Sequence, residues 1–223
     1  MSINSNVFQI RKNLGYSQDD IAGKMGITRQ TYMKFENGTA SLSTTQLEQL
    51  ANIFGVHINE FYYEVQNTNK FKEMLVYILS KFGVKGLPKT KLAKLLYLTD
   101  FNHYYNNLES MSSVIYKCKD YGPLAEPFLE IVDEMIDGGE MHLDPLSEGA
   151  QMLTLSRSCD TKHLSLLSDE EKKEMDNICK KWAKSTTQEI VNFTKKQKPW
   201  MACRPNEVIR YELVLQEDPE NVY

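Results

Sequence analysis

Nothing in these 223 residues offers a redox or metal framework. The four cysteines, Cys118, Cys159, Cys179 and Cys203, never fall at Cys-x-x-Cys spacing, and His57, His103, His142 and His163 are just as dispersed. The cysteines read as reduced thiols of a cytoplasmic protein, and no metal or other cofactor is expected. Apolar runs of membrane-spanning length are missing, and Met1 is not followed by a basic-then-apolar leader, so neither membrane insertion nor export is predicted. Glycine-rich phosphate loops are missing too. Asp133-Glu134 and Asp169-Glu170-Glu171 are consecutive acids, and consecutive residues on a helix do not face each other. Asp100 and His103 stand three apart and could pair, but no nucleophile accompanies them. The expectation is a protein that is not an enzyme.

Excess positive charge is also lacking. The chain carries 26 Lys+Arg against 30 Asp+Glu, net −4, and its first 65 residues alone carry 5 against 6. Such a chain gains little non-specific affinity for nucleic acid from phosphates. If it binds DNA, it needs a dimer, a concentrated basic face or a partner.

Against these absences, residues 16 to 38 are dense with structural signals. Ser17 can N-cap a helix from Gln18 to Met25, and Gly26 follows where a left-handed turn ends it. Thr28 caps a second short helix that stops at Asn37-Gly38. Two helices joined by a glycine turn make a helix-turn-helix. At about 100° per residue, Tyr32 and Phe35 share a face with Ile27 close by, set to pack on Ile21, Ala22 and Met25. Gln30, Met33 and Lys34 point the other way, with Arg29 and Thr31 on the flanks. Arginine and glutamine can pair bidentately with guanine and adenine in the major groove. Caps, turn, buried face and spacing agree, so double-stranded DNA is the predicted partner of this stretch.

The pattern Gln-x-x-Ile-Ala-x-x-x-Gly-Ile-Thr, then Tyr-x-x-Phe-Glu-Asn-Gly, resembles the Xre family of lambdoid-repressor and Cro-like domains over roughly residues 6 to 64. The resemblance implies that the DNA is an operator, with phosphate contacts at Gln18 and Asn37 and base reading by Arg29, Gln30 and Lys34. With Thr28 and Thr31 these form the candidate DNA-binding set. It also implies a structural ion pair between Arg11 and Glu36.

The remaining chain is read in order. A first helix is predicted from about residue 5 to Leu14. Ser43 caps a fourth that carries Leu47, Leu50, Ala51 and Phe54 and ends at Gly55, and Ile58, Phe61 and Tyr62 supply a short fifth. Tyr62 and Tyr63 either close the core or contact a second copy. The polar run Gln66-Asn67-Thr68-Asn69 marks the boundary between a domain at 1–65 and another at 70–223. Phe71 to Phe82 reads as an apolar helix. The next, from Lys89, has Leu92, Leu95, Leu96 and Phe101 inward and Lys89, Lys91 and Lys94 outward. A strand is predicted at 112–119, a turn at Tyr121-Gly122-Pro123, and a helix from Glu126 to Gly138-Gly139. A hairpin at 140–157 turns at Ser147-Glu148-Gly149. Ser168 and Glu171 form a capping box, helices follow near 169–182 and 186–196, and alternation at 207–213 suggests a last strand.

Three patches of this second part resemble the SocA-like, or Panacea, domain of bacterial and phage antitoxins across roughly residues 70 to 215. They are Lys91 to Phe101, then Tyr121-Gly122-Pro123, then Pro199-Trp200 with Glu207 to Glu212. Where that family often has a histidine before the tryptophan, this sequence reads Thr194-Lys195-Lys196-Gln197-Lys198. The fold class implied is mainly α with a small β component (α+β): five repressor-like helices, then a helical domain with a few short antiparallel strands. The function implied is an antitoxin that binds a co-encoded protein toxin and represses its own operon, most simply as a homodimer. A prophage or ligand-responsive repressor without a toxin, or a proteolytic adaptor, is the alternative. Tyr97, Asp100, His103, Tyr104, Tyr121 and Trp200 are the candidate partner-binding residues, because aromatic area with polar handles suits interfaces. Ordinary packing is the other reading for each.

Overall fold

Serine and threonine caps set three helix starts of the N-terminal part. In the computed structural model, which describes residues 3–61, 68–146 and 149–222, α1 (Ile3–Asn13), α2 (Gln18–Met25), α3 (Arg29–Glu36) and α4 (Thr44–Phe54) precede a 3-10 turn at Ile58–Phe61. The Ser17 hydroxyl accepts the Asp20 N–H at 3.1 Å while the Asp20 carboxylate accepts the Ser17 N–H at 2.8 Å, a closed capping box. Ser43 and Gln46 repeat it on α4. Gly26 ends α2 at φ +68°, a conformation that costs a residue with a Cβ about 1–2 kcal/mol. The first helix begins two residues earlier than its apolar spacing suggests. Tyr32 and Phe35 of α3 join Ile21, Ala22 and Met25 of α2 and Leu47, Leu50, Ala51 and Phe54 of α4 in one core. Tyr62 and Tyr63, Gln66-Asn67 of the expected linker and Ser147-Glu148 of the expected hairpin turn lie outside the described residues.

The chain divides into two units, Met1–Val65 and Gln66–Tyr223. In the second, α5 (Thr68–Ser80) takes in Thr68 and Asn69 of the expected linker. There follow β1 (Leu87–Pro88), α6 (Lys89–Asn107), β2 (Tyr116–Lys119), β3 (Gly122–Ala125), α7 (Phe128–Asp137), β4 (Met141–Pro145), β5 (Gln151–Leu155), α8 (Asp169–Trp182), α9 (Thr187–Lys196), α10 (Lys198–Met201) and β6 (Val208–Ile209). Among the described residues the strands form two three-stranded antiparallel sheets, ordered β1-β5-β4 and β3-β2-β6. The fold is mainly α with a small β component, as the patterning indicates. No helix among the described residues is long and apolar enough to cross a membrane.

Helix α6 is the axis of this unit, touched by α5, α8, α9, β3 and a 3-10 segment at Tyr211–Gln216. Every residue from Lys91 to Asn102 is buried. The expected outward face is therefore corrected: Lys91 and Lys94 are interior, and Lys89 is half-buried. Their ammonium groups are satisfied by backbone. Lys91 Nζ donates to the Ser185 carbonyl at 2.5 Å, just past the C-terminal end of α8, where the helix dipole favours a cation. Lys94 Nζ donates to the Pro123 carbonyl at 2.5 Å.

Two predicted strands are shorter than their alternation suggests. The strand read at 112–119 is paired only over Tyr116–Lys119, because Ser112 turns inward and donates through N–H and Oγ to Asp100 at 2.9 and 2.6 Å. The last strand keeps only Val208–Ile209, since Tyr211 leaves it to stack on Phe101 at a centroid distance of 4.5 Å.

Candidate nucleic-acid interface and partner-facing residues

The exposed face of α3 is built from its N-cap outward. Thr28 Oγ1 accepts the Thr31 N–H at 3.1 Å and lies 2.8 Å from the Thr31 hydroxyl, which fixes the first turn. Arg29, Gln30, Thr31, Met33, Lys34 and Asn37 are all solvent-exposed. Tyr32, Phe35 and Glu36 are buried, so one helix separates a core face from a solvent face. Arg29 Nε sits 3.4 Å from Asp19 on α2, with both side chains mostly exposed. An exposed pair of this kind is worth at most about 1 kcal/mol, so it orients the guanidinium without withholding it from a base.

Beneath that face, Arg11 grips Glu36 through two parallel N–H···O bonds, Nε to Oε1 at 2.6 Å and Nη2 to Oε2 at 3.0 Å. Arg11 also donates to the Tyr16 carbonyl at 2.7 Å. The pair is nearly solvent-free and ties α1 to the end of α3. Burial pushes the Glu36 carboxyl up, but hydrogen bonds from Arg11 and Gln18 and the Arg11 charge outweigh it and hold it below the usual carboxylate range. Gln18 Nε2 donates to Glu36 at 2.8 Å, so one of its two amide hydrogens is committed to the fold.

The six partner-binding candidates do not share one surface. Tyr97 and Asp100 are fully enclosed. Tyr97 packs on Phe101 and Tyr116 at 4.2 and 5.5 Å, and Asp100 accepts the Tyr116 hydroxyl at 2.8 Å besides the two Ser112 donors. Burial raises the Asp100 pKa, and these hydrogen bonds only partly offset it. Tyr104 is half-buried and stacks on Tyr211 at 5.5 Å, so it extends the same aromatic cluster to the surface. His103 does not pair with Asp100; its Nδ1 lies 2.9 Å from Glu174 on α8. Burial pulls the imidazole down, while the Glu174 hydrogen bond and the carboxylates of Glu174, Glu171 and Asp100 raise it above its ordinary value overall. Trp200 is half-buried with Lys195 Nζ 5.4 Å from its ring. Tyr121, 75% exposed, stands alone among the six as a projecting side chain.

Tyr121 edges a cavity of about 160 Å³ that sequence reasoning missed. Its other walls are Lys89, Thr90, Ala93 and Lys94 on α6, Lys119, Gly122 and Leu124 on the β2–β3 hairpin, and Phe128 and Leu129 on α7. A signal was present in Lys91-Leu92-Ala93-Lys94, whose lysines interrupt an otherwise apolar run.

Residues 7–61 match the helix-turn-helix family, and residues 92–201 match the family described as antitoxin SocA-like, Panacea domain. The SPbeta prophage-derived uncharacterized HTH-type transcriptional regulator YonR of Bacillus subtilis (strain 168) is 48% identical over 46 residues. That match covers 21% of this chain and 43% of the relative, so it spans less than half of that protein's length. No solved structure matches.

Proposed function

We propose that this chain, a helix-turn-helix domain followed by an antitoxin SocA-like, Panacea domain, is an antitoxin that sequesters a co-encoded protein toxin and represses the operon encoding both. The observation that carries the reading is the pairing, in one chain, of an exposed Arg29-Gln30-Lys34 helix face with a Panacea match over residues 92–201. Each half implies a different macromolecular partner. The toxin is held stoichiometrically and nothing is turned over. Arg29, Gln30 and Lys34 read base edges while Gln18 and Asn37 hold phosphates, with Thr28 and Thr31 fixing the start of the reading helix. The protein binds as a dimer on a pseudo-palindromic site, because the first 65 residues have no net positive charge to hold a single short helix on DNA.

Two measurements test this. The open reading frame adjoining the gene is expressed alone and with this chain, and growth arrest relieved by the chain is the expected result. Mobility shift on the chain's own upstream region is expected to disappear when Gln30→Ala and Lys34→Ala are combined; unchanged binding would remove α3 from the reading role. A regulator without a toxin is the second reading. It is favoured by the prophage-derived regulator, whose likeness covers 46 residues, about a fifth of this chain. A harmless neighbour together with intact operator binding would select it.

A further inference from the structure

The groove beside Tyr121 has features that a mere packing defect lacks. Its lining includes apolar Ala93 and Phe128, which are buried, and Leu124. Tyr121 and Leu129 rise at its edge as exposed large hydrophobics, 75% and 46% open to solvent. Lys89, Lys94 and Lys119 all line it, and no carboxylate does among the described residues. The larger cavity of this unit, about 420 Å³ and lined by Lys72, Glu73, Glu140, Asp160 and His163, differs in that respect. Its polar groups already have partners: Lys72 lies 2.8 Å from Glu140, His163 Nδ1 2.6 Å from Asp160, and Glu73 accepts the Leu166 N–H.

Lys94 makes the charge imbalance acute. Its side chain is almost wholly buried, its Nζ bonds a neutral carbonyl, and burial together with the Lys195 charge pushes its pKa down to about 7. A buried cation without a counter-ion is costly, and an incoming carboxylate would relieve it. The backbone is shaped to this lysine. At Gly122, φ +91°, an added Cβ would lie 3.2 Å from both Lys94 Cε and Thr194 Oγ1, so the hairpin lies close against the side chain. Volume decides the kind of occupant. About 160 Å³ is well under the roughly 300–1,000 Å³ typical of small-molecule sites, and it suits one protruding side chain.

We propose that the groove formed by the start of α6, the β2–β3 hairpin and the start of α7 is the docking site for an acidic segment of the protein partner, which inserts one bulky apolar side chain between Tyr121 and Leu129 and presents a carboxylate to Lys89, Lys94 and Lys119. This rests on the antitoxin reading and names the surface that would carry it out. Tyrosine at such a rim is a frequent interface anchor. Lys94 and Lys119 donate to neutral oxygens, the Pro123 carbonyl and Asn206 Oδ1 at 2.7 Å, so lysines without a carboxylate in the described lining set the sign of the partner's charge.

The test is calorimetric titration of the full chain with the purified product of the adjoining open reading frame. Tyr121→Ala with Leu129→Ala is expected to weaken binding by about 10-fold or more. Lys119→Glu is expected to weaken it too, with a loss that shrinks as salt is added. Operator binding and the tryptophan-fluorescence unfolding midpoint should stay at wild-type values in these variants, since the replaced side chains are exposed. Wild-type affinity in the Tyr121→Ala, Leu129→Ala variant would overturn the groove while leaving the antitoxin reading intact. A wild-type chain that fails to bind the neighbouring protein would overturn both. Should the groove variants instead lose affinity for RNA or DNA and keep that for the protein, the groove is a phosphate site and the inference is wrong.

Discussion

At the scale of residues, buried charge is the theme, and two of its instances have opposite pairing. Arg11 and Glu36 have each other, so removing one leaves the other stranded. Glu36→Gln is expected to destabilise the N-terminal unit by about 3–5 kcal/mol, read as lost amide hydrogen-exchange protection in α2 to α4. Lys94 has no counter-ion, and its lowered pKa fixes the sign of a pH effect. Between about pH 7 and the ordinary lysine value, the unfolded chain holds a proton that the folded one has released. Stability therefore rises with pH in that window, by up to about 1.4 kcal/mol per unit from this group. The gain is cleanest up to about pH 8.5, above which the buried thiols of Cys159 and Cys179, raised by desolvation, act in the opposite direction as their unfolded counterparts ionise. Denaturant midpoints at pH 7.0 and 8.5 should separate for the wild type and draw together for Lys94→Met. Both tryptophans, Trp182 and Trp200, lie in the second unit, so their fluorescence reports on it alone.

At the scale of elements, helix α3 and the central helix α6 show what local sequence can and cannot specify. Helix α3 is delimited by groups within a few residues, Thr28 at its start and Asn37-Gly38 at its end, and Tyr32 and Phe35 fix which side is buried. Its caps, its buried face and its exposed face were all legible. Arg29→Ala on the exposed side should change stability by no more than about 0.5 kcal/mol. It should cost about 1–3 kcal/mol of discrimination between the operator and a scrambled site, measured by competition mobility shift. Helix α6 was misread because periodicity records polarity, and an ammonium on a four-carbon stem can be buried once a carbonyl lies at its tip. Those carbonyls, Ser185 and Pro123, come from chain 94 and 29 residues away, respectively. A third element depends on a backbone approach. Gly86, at φ +62°, lies against β5, where any Cβ would collide with the Leu153 carbonyl. Gly86→Ala is expected to cost about 2 kcal/mol or more, from the left-handed strain plus displacement of β5, seen as a lower tryptophan-fluorescence midpoint.

At the scale of the whole molecule, the division after Val65 separates two hydrophobic cores, one on α1 to α4 and one around α6. A fragment of residues 66–223 is expected to fold alone and to neutralise the toxin without binding the operator. Growth rescue and mobility shift run in parallel check this. A soluble, folded fragment that fails to rescue would place part of the toxin contact on residues 1–65. The near-balanced charge of the first 65 residues belongs to this scale as well, since it leaves little phosphate attraction to hold a single copy on DNA and is the reason for proposing a dimer.

The sequence alone determined the elements whose causes are local: the capped helices, the Gly26 turn, the β4–β5 hairpin and the exposed set on α3. It also determined which families the two halves resemble, because those motifs are runs of adjacent residues. Tertiary structure decided the rest. It enclosed Tyr97 and Asp100, turned His103 toward Glu174, shortened two strands, and drew Lys94, Lys119, Tyr121 and Leu129 to one groove. Each of these outcomes depends on a partner far along the chain, and spacing within a segment carries no information about which distant carbonyl, carboxylate or ring will arrive beside it.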